Sequence, residues 1–103
     1  MDLSTWRTWW RQVGERELRD LTMERWDPIG VAGCLEAADE YDSYLGQIAR
    51  RLREGASEEE LASYLATATD GMGLMRRPAA DLSAAREMRR WYDESTARFA
   101  NRS

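Results

Sequence analysis

The chain has no histidine, no lysine, one cysteine and two prolines among its 103 residues. Without an imidazole, Ser–His and Cys–His catalysis are excluded, as are histidine metal ligation and histidine pH switching. A single thiol, Cys34, allows no disulfide within the chain, which fits a reducing compartment, and a zinc site built from Cys and His is ruled out. No cation neighbours Cys34 in sequence to activate it, so it reads as a small, unreactive loop residue. No apolar run approaches the ~20 residues needed to span a bilayer. The start, Met1-Asp2-Leu3-Ser4, has neither the basic nor the apolar region of a signal peptide, so a cytoplasmic location is expected.

What remains favours helix. Hydrophobic residues make up 43% and charged residues 33% of the chain, a globular balance rich in alanine, leucine, glutamate and arginine. The length suits one domain. A net charge of −4 argues against general nucleic-acid affinity. The charge is uneven: residues 27–45 hold Asp27, Glu36, Asp39, Glu40 and Asp42 with no basic residue, whereas the chain from Arg76 onward is net basic.

Periodicity predicts an all-α bundle of four or five helices forming a single domain over 1–103. Residues 1–14 read as a Trp-rich extension and 15–100 as the helical core. The first helix is expected over residues 5–25, capped by Ser4 or Thr5 and broken or weakened at Gly14. Trp26-Asp27-Pro28-Ile29-Gly30 stops it. The second is expected over 35–53, with Tyr41, Tyr44, Leu45, Ile48 and Leu52 inward, its acids early and its arginines late in accord with the helix dipole, and Gly55 as its terminator. Ser57-Glu58-Glu59-Glu60 is a capping box, the strongest local signal in the chain, and opens a third helix that ends at Asp70-Gly71. Met72-Gly73-Leu74 is expected to fold beneath it as an apolar plug. The last helix is expected from residues 79–82 to about Ala100, with Asp81 or Ser83 as its cap.

Trp26-Asp27-Pro28-Ile29-Gly30-Val31, then Asp39-Glu40-Tyr41-Asp42-Ser43-Tyr44, then Met72-Gly73-Leu74 resemble the pattern of a family of small bacterial proteins with no secure activity. The resemblance runs from about Glu17 to Leu74, with the N-terminal tryptophans as an addition. A weaker likeness, through Trp-Asp-Pro, is to small acidic proteins of the toxin-neutralising type, and it implies protein binding by analogy only.

Two groups of residues carry the functional expectations. Asp39 and Asp42 are three apart and Glu36 and Glu40 four apart, so each pair shares a helix face, and Asp27 would join them at one end of the bundle. Such carboxylates offset a helix dipole and pair with arginines, present an acidic patch to a partner, or bind a divalent cation and act as general acid and base. The second group is Trp6, Trp9 and Trp10. The spacing places Trp6, Trp10 and Val13 inward and leaves Trp9 half exposed; the alternative is an aromatic anchor for another chain. Membrane attachment is disfavoured, since Arg7 and Arg11 alone supply positive charge there.

The expectation is a protein-binding, non-enzymatic module of immunity or antitoxin type. Its partner-contacting residues are Trp6, Trp9, Trp10, Asp27, Asp39, Glu40, Asp42 and Tyr44, with no metal, cofactor, nucleic acid or membrane. The partner is another protein, or a second copy held through the tryptophans. The alternative is a small metal-dependent enzyme or metal-binding protein that uses the acidic cluster.

Overall fold

The computed structural model describes residues 1–26, 35–71, 73 and 77–101, with side chains described for the same residues except 35–43. Four helices account for nearly all of them, as the periodicity predicts, and no strand occurs among the described residues. Helix α1 covers residues 3–26, α2 Leu35–Arg53, α3 Glu58–Gly71 and α4 Pro78–Asn101. The Cα radius of gyration is 13.5 Å, the value expected for one packed domain of about 100 residues.

Helix α1 is continuous but not uniform. Residues Trp10–Gly14 and Thr22–Trp26 form π-helical turns between α-helical stretches, and Gly14 and Glu15 at the first junction keep right-handed helical angles. The Glu15 N–H reaches back five residues to the Trp10 carbonyl. Gly14 therefore does not break the helix. It is buried, and a Cβ there would stand 2.7 Å from Trp9 Cη2 and 2.8 Å from Trp10 Cε3. The missing side chain provides room for two indoles, and its conformational freedom is not used.

A π turn sets the helix back by one residue, about 100° of rotation. On a uniform α-helix Trp9 and Leu18 would face opposite ways; with the π turn between them they differ by only about 80°. Both are fully buried in one core. The expectation that Trp9 is half exposed is thus corrected, since Trp9 is 0% exposed, whereas Trp6, Trp10 and Val13 pack partly buried against the core as expected. Residues 1–14, expected as an extension, supply Trp9 to the core itself.

The helix ends follow local chemistry. Asp2, rather than Ser4 or Thr5, caps α1, its Oδ1 accepting the Thr5 N–H at 2.7 Å. Helix α2 ends in a Schellman turn: Gly55 takes φ +86°, its N–H donates to Leu52 O and the Ala56 N–H to Arg51 O. The capping box forms as expected, with the Glu60 N–H donating to Ser57 Oγ and the Ser57 N–H to Glu60 Oε1, both at 3.1 Å. Pro78 is the first residue of α4, where a missing N–H costs nothing.

Helices α3 and α4 pack most extensively against each other. Ala68, Ala84 and Ala85 are buried there, small side chains that suit close helix approach. The inward face of α2 is Leu45, Ile48, Ala49 and Leu52. From α4, Arg89 reaches the Leu52 and Ala56 carbonyls, both at 3.1 Å, so one guanidinium satisfies the end of α2. At the far end of α1, Arg77 donates to the Trp26 carbonyl at 2.7 Å. Met72, Leu74, Cys34, Pro28 and Gly30, read above as plug and loop residues, lie outside the described residues.

Candidate functional site

Four of the five indoles donate their N–H inside the protein. Trp6 bonds the Tyr92 hydroxyl at 2.8 Å, Trp9 bonds Ser95 Oγ at 2.9 Å, Trp26 bonds Asp81 Oδ1 at 3.0 Å, and Trp91 bonds Glu17 Oε1 at 2.9 Å. Each bond joins α1 to α4, so the two helices are tied by a row of aromatic donors and oxygen acceptors. Buried indole N–H groups need such partners, and the helix spacing provides them: Tyr92 and Ser95 are three apart, like Trp6 and Trp9.

Asp81 is one of these acceptors and not the helix cap expected from sequence. It is 2% exposed, in the first turn of α4, with its carboxylate turned to Trp26. Burial pushes the Tyr92 hydroxyl pKa up, and the hydrogen bond from Trp6 and the nearby Arg89 and Arg53 guanidinium groups work against that shift. Tyr64 is raised for the same reason, offset by Arg51, which lies 3.8 Å over its ring.

Trp10 differs from the other four. Its ring stacks on Trp6, with centroids 5.8 Å apart and planes 6° from parallel, and is partly buried against the core. Its N–H has no hydrogen-bond partner among the described residues. It borders two depressions. One, of about 680 Å³, is lined by Leu3, Ser4, Arg7, Thr8, Trp10 and Arg11. The other, of about 230 Å³, lies where α1 meets α2 and is lined by Trp10, Glu15, Arg19, Leu45 and Gly46. Leu3 and Met1, 47% and 53% exposed, are the large hydrophobic side chains most open to solvent among the described residues.

The larger depression carries no carboxylate. Arg7 and Arg11 stand one helical turn apart on it, and neither has an ion-pair partner among the described residues. Glu15 and Arg19, on the smaller depression, pair with each other at 3.1 Å. The surface around Trp10 is therefore apolar and basic on a chain of net charge −4.

Of the residues expected to contact a partner, Trp6, Trp9 and Trp10 lie in mutual ring contact. Trp9 has no surface to offer. Trp6 is half-buried, with the Arg53 guanidinium 5.0 Å over its ring. Tyr44 packs at the other end of α1, its ring edge-on to Trp26 at 6.3 Å. Asp27 lies outside the described residues; Asp39, Glu40 and Asp42 are on α2, with their side chains outside them. Among the described residues no three acidic or sulfur-bearing side chains gather as a metal-binding set. No described helix is long and apolar enough to cross a membrane.

Leu3, Arg7 and Arg11, which line a depression with Trp10, are not among the residues expected from sequence to contact a partner. Leu3, Arg7, Trp10 and Arg11 follow i, i+4, i+7, i+8 spacing, a stripe that mixes arginine with leucine and tryptophan and so gives no apolar period. No family model, curated protein or solved structure matches the chain.

Proposed function

We propose that this chain is a protein-binding helical module whose contact surface is the outer face of the first turns of α1, centred on Trp10. The observation that carries the reading is the contrast among the tryptophans: four donate to internal acceptors, and the fifth, partly buried, lies between two depressions with no acceptor for its N–H among the described residues. Tryptophan and arginine dominate binding energy in protein interfaces, above all where a large ring is supported from behind and water can be excluded around it. Stacking on Trp6 supplies that support, because the ring loses little freedom when a partner covers it.

A toxin-neutralising role of the immunity or antitoxin kind is one form of this activity. The bundle would then act by covering a partner's working surface, with no chemistry of its own.

The test is affinity capture from the native host with the full chain and with Trp10→Ala. A protein retained by the wild type and lost from the variant, at unchanged helix content, is the expected outcome. Equal retention by both would remove Trp10 from the interface.

A further inference from the structure

We infer that the partner presents an acidic amphipathic helix, with carboxylates one turn apart, to the groove between Leu3 and Arg11. This rests on the protein-binding reading and specifies what is bound.

The first argument is charge. The groove lining holds two guanidinium groups and no carboxylate, and neither Arg7 nor Arg11 is neutralised by a described neighbour. A partner of like charge would bury two cations against its own, whereas an acidic one pairs them and gains a faster encounter. Arginine favours carboxylates further, because its planar fork accepts two-pronged bonding.

The second argument is shape. Leu3 to Arg11 is eight residues, about 12 Å along the helix axis, or roughly two turns. Leu3 and Trp10 provide the apolar contact along this length, with Arg7 and Arg11 spaced i, i+4 beside them. A second helix laid on such a face presents apolar residues at i, i+3 or i+4, and i+7, and its own i, i+4 carboxylates fall opposite the two arginines. The Trp10 N–H, with no acceptor among the described residues, adds a donor suited to the same anionic rim. No strand edge occurs among the described residues to pair with an extended segment.

The experiment uses three fluorescein-labelled helical peptides of about 15 residues, long enough to form a few turns on binding. All share one leucine stripe and differ only in the flanking residues: Glu, Gln or Lys. Fluorescence anisotropy is read against the full chain at low and high salt. The Glu peptide is expected to bind at least about tenfold tighter than the Gln peptide, to weaken with salt, and to lose affinity with Trp10→Ala. The Lys peptide should not bind. The double variant Arg7→Glu, Arg11→Glu changes only exposed side chains and should transfer preference to the Lys peptide.

Equal binding of the Glu and Gln peptides, or no preference transfer in the charge-reversed variant, overturns the acidic-helix inference while leaving protein binding to be judged by capture. Binding of none of the three peptides also overturns it. A concentration-dependent dimer of the unmodified chain, abolished by Trp10→Ala in sedimentation equilibrium, overturns it as well, because the groove would then hold a second copy.

Discussion

The two sides of the first turns of α1 use the same residue type for opposite purposes. On the inner side, Trp6 and Trp9 lie against α4, donate to Tyr92 and Ser95, and in the case of Trp9 lose all contact with solvent. On the outer side, Trp10 makes no side-chain hydrogen bond among the described residues and borders an open depression with Leu3, Arg7 and Arg11. Trp9 and Trp10 are adjacent in sequence and in ring contact, with centroids 6.1 Å apart. The difference between them lies in the π turn that begins at Trp10 and in the glycine that makes space for both rings. A count of tryptophans does not distinguish core from interface. The fate of each indole N–H does.

The comparison breaks most severely at Trp9. Trp9→Ala removes a fully buried ring that contacts Trp91 and Tyr92 at 5.6 and 5.4 Å, and leaves Ser95 without its donor. A loss of about 3–5 kcal/mol is expected in urea unfolding. Gly14→Ala comes next: the added methyl meets two rings at 2.7–2.8 Å, and relief requires the α1 backbone or the tryptophans to shift. A loss of about 1–3 kcal/mol is expected, despite alanine's better helix propensity, and that sign is what urea unfolding should check.

Trp10→Ala should cost less than either, because the ring is only partly buried, and a midpoint within about 1 kcal/mol of wild type would match that expectation. Its effect belongs to binding, so stability and partner affinity should separate at Trp10 and fall together at Trp9. The smallest effect is at the cap. The Thr5 N–H and hydroxyl hold the Asp2 carboxylate pKa below its ordinary value. The folded protein therefore favours the charged form, so the cap's contribution is complete above the unfolded pKa and is lost as pH falls through the lower folded one. Amide exchange in the first turn of α1 should rise in acid below about pH 4, and Asp2→Asn, which still caps, should remove that dependence.

Much of the fold was legible in the residues. The span of α2, the Ser57–Glu60 capping box and the inward face Leu45, Ile48 and Leu52 follow from rules that act over a few residues, and no tertiary contact overrides them. Trp9 was misplaced because a fixed period of 3.6 residues was carried through a turn that is locally wider. Nothing in the sequence signals that turn except Gly14 beside two tryptophans. Asp81 was read as a cap because acids cap helices; its actual partner, Trp26, is 55 residues away in sequence, beyond any local rule. The proposed contact surface was legible only in part. The tryptophans drew attention, but which of them faces outward depends on the acceptors that α4 provides.

The most direct test is photo-crosslinking in the native host, with p-benzoylphenylalanine at position 4 of the full chain, where Ser4 lines the same depression as Trp10, compared with the same probe in a Trp10→Ala background. The account predicts a discrete heavier adduct in the first and its loss in the second, with both proteins equally folded. No adduct from position 4, or an adduct of equal yield when Trp10 is absent, would contradict it.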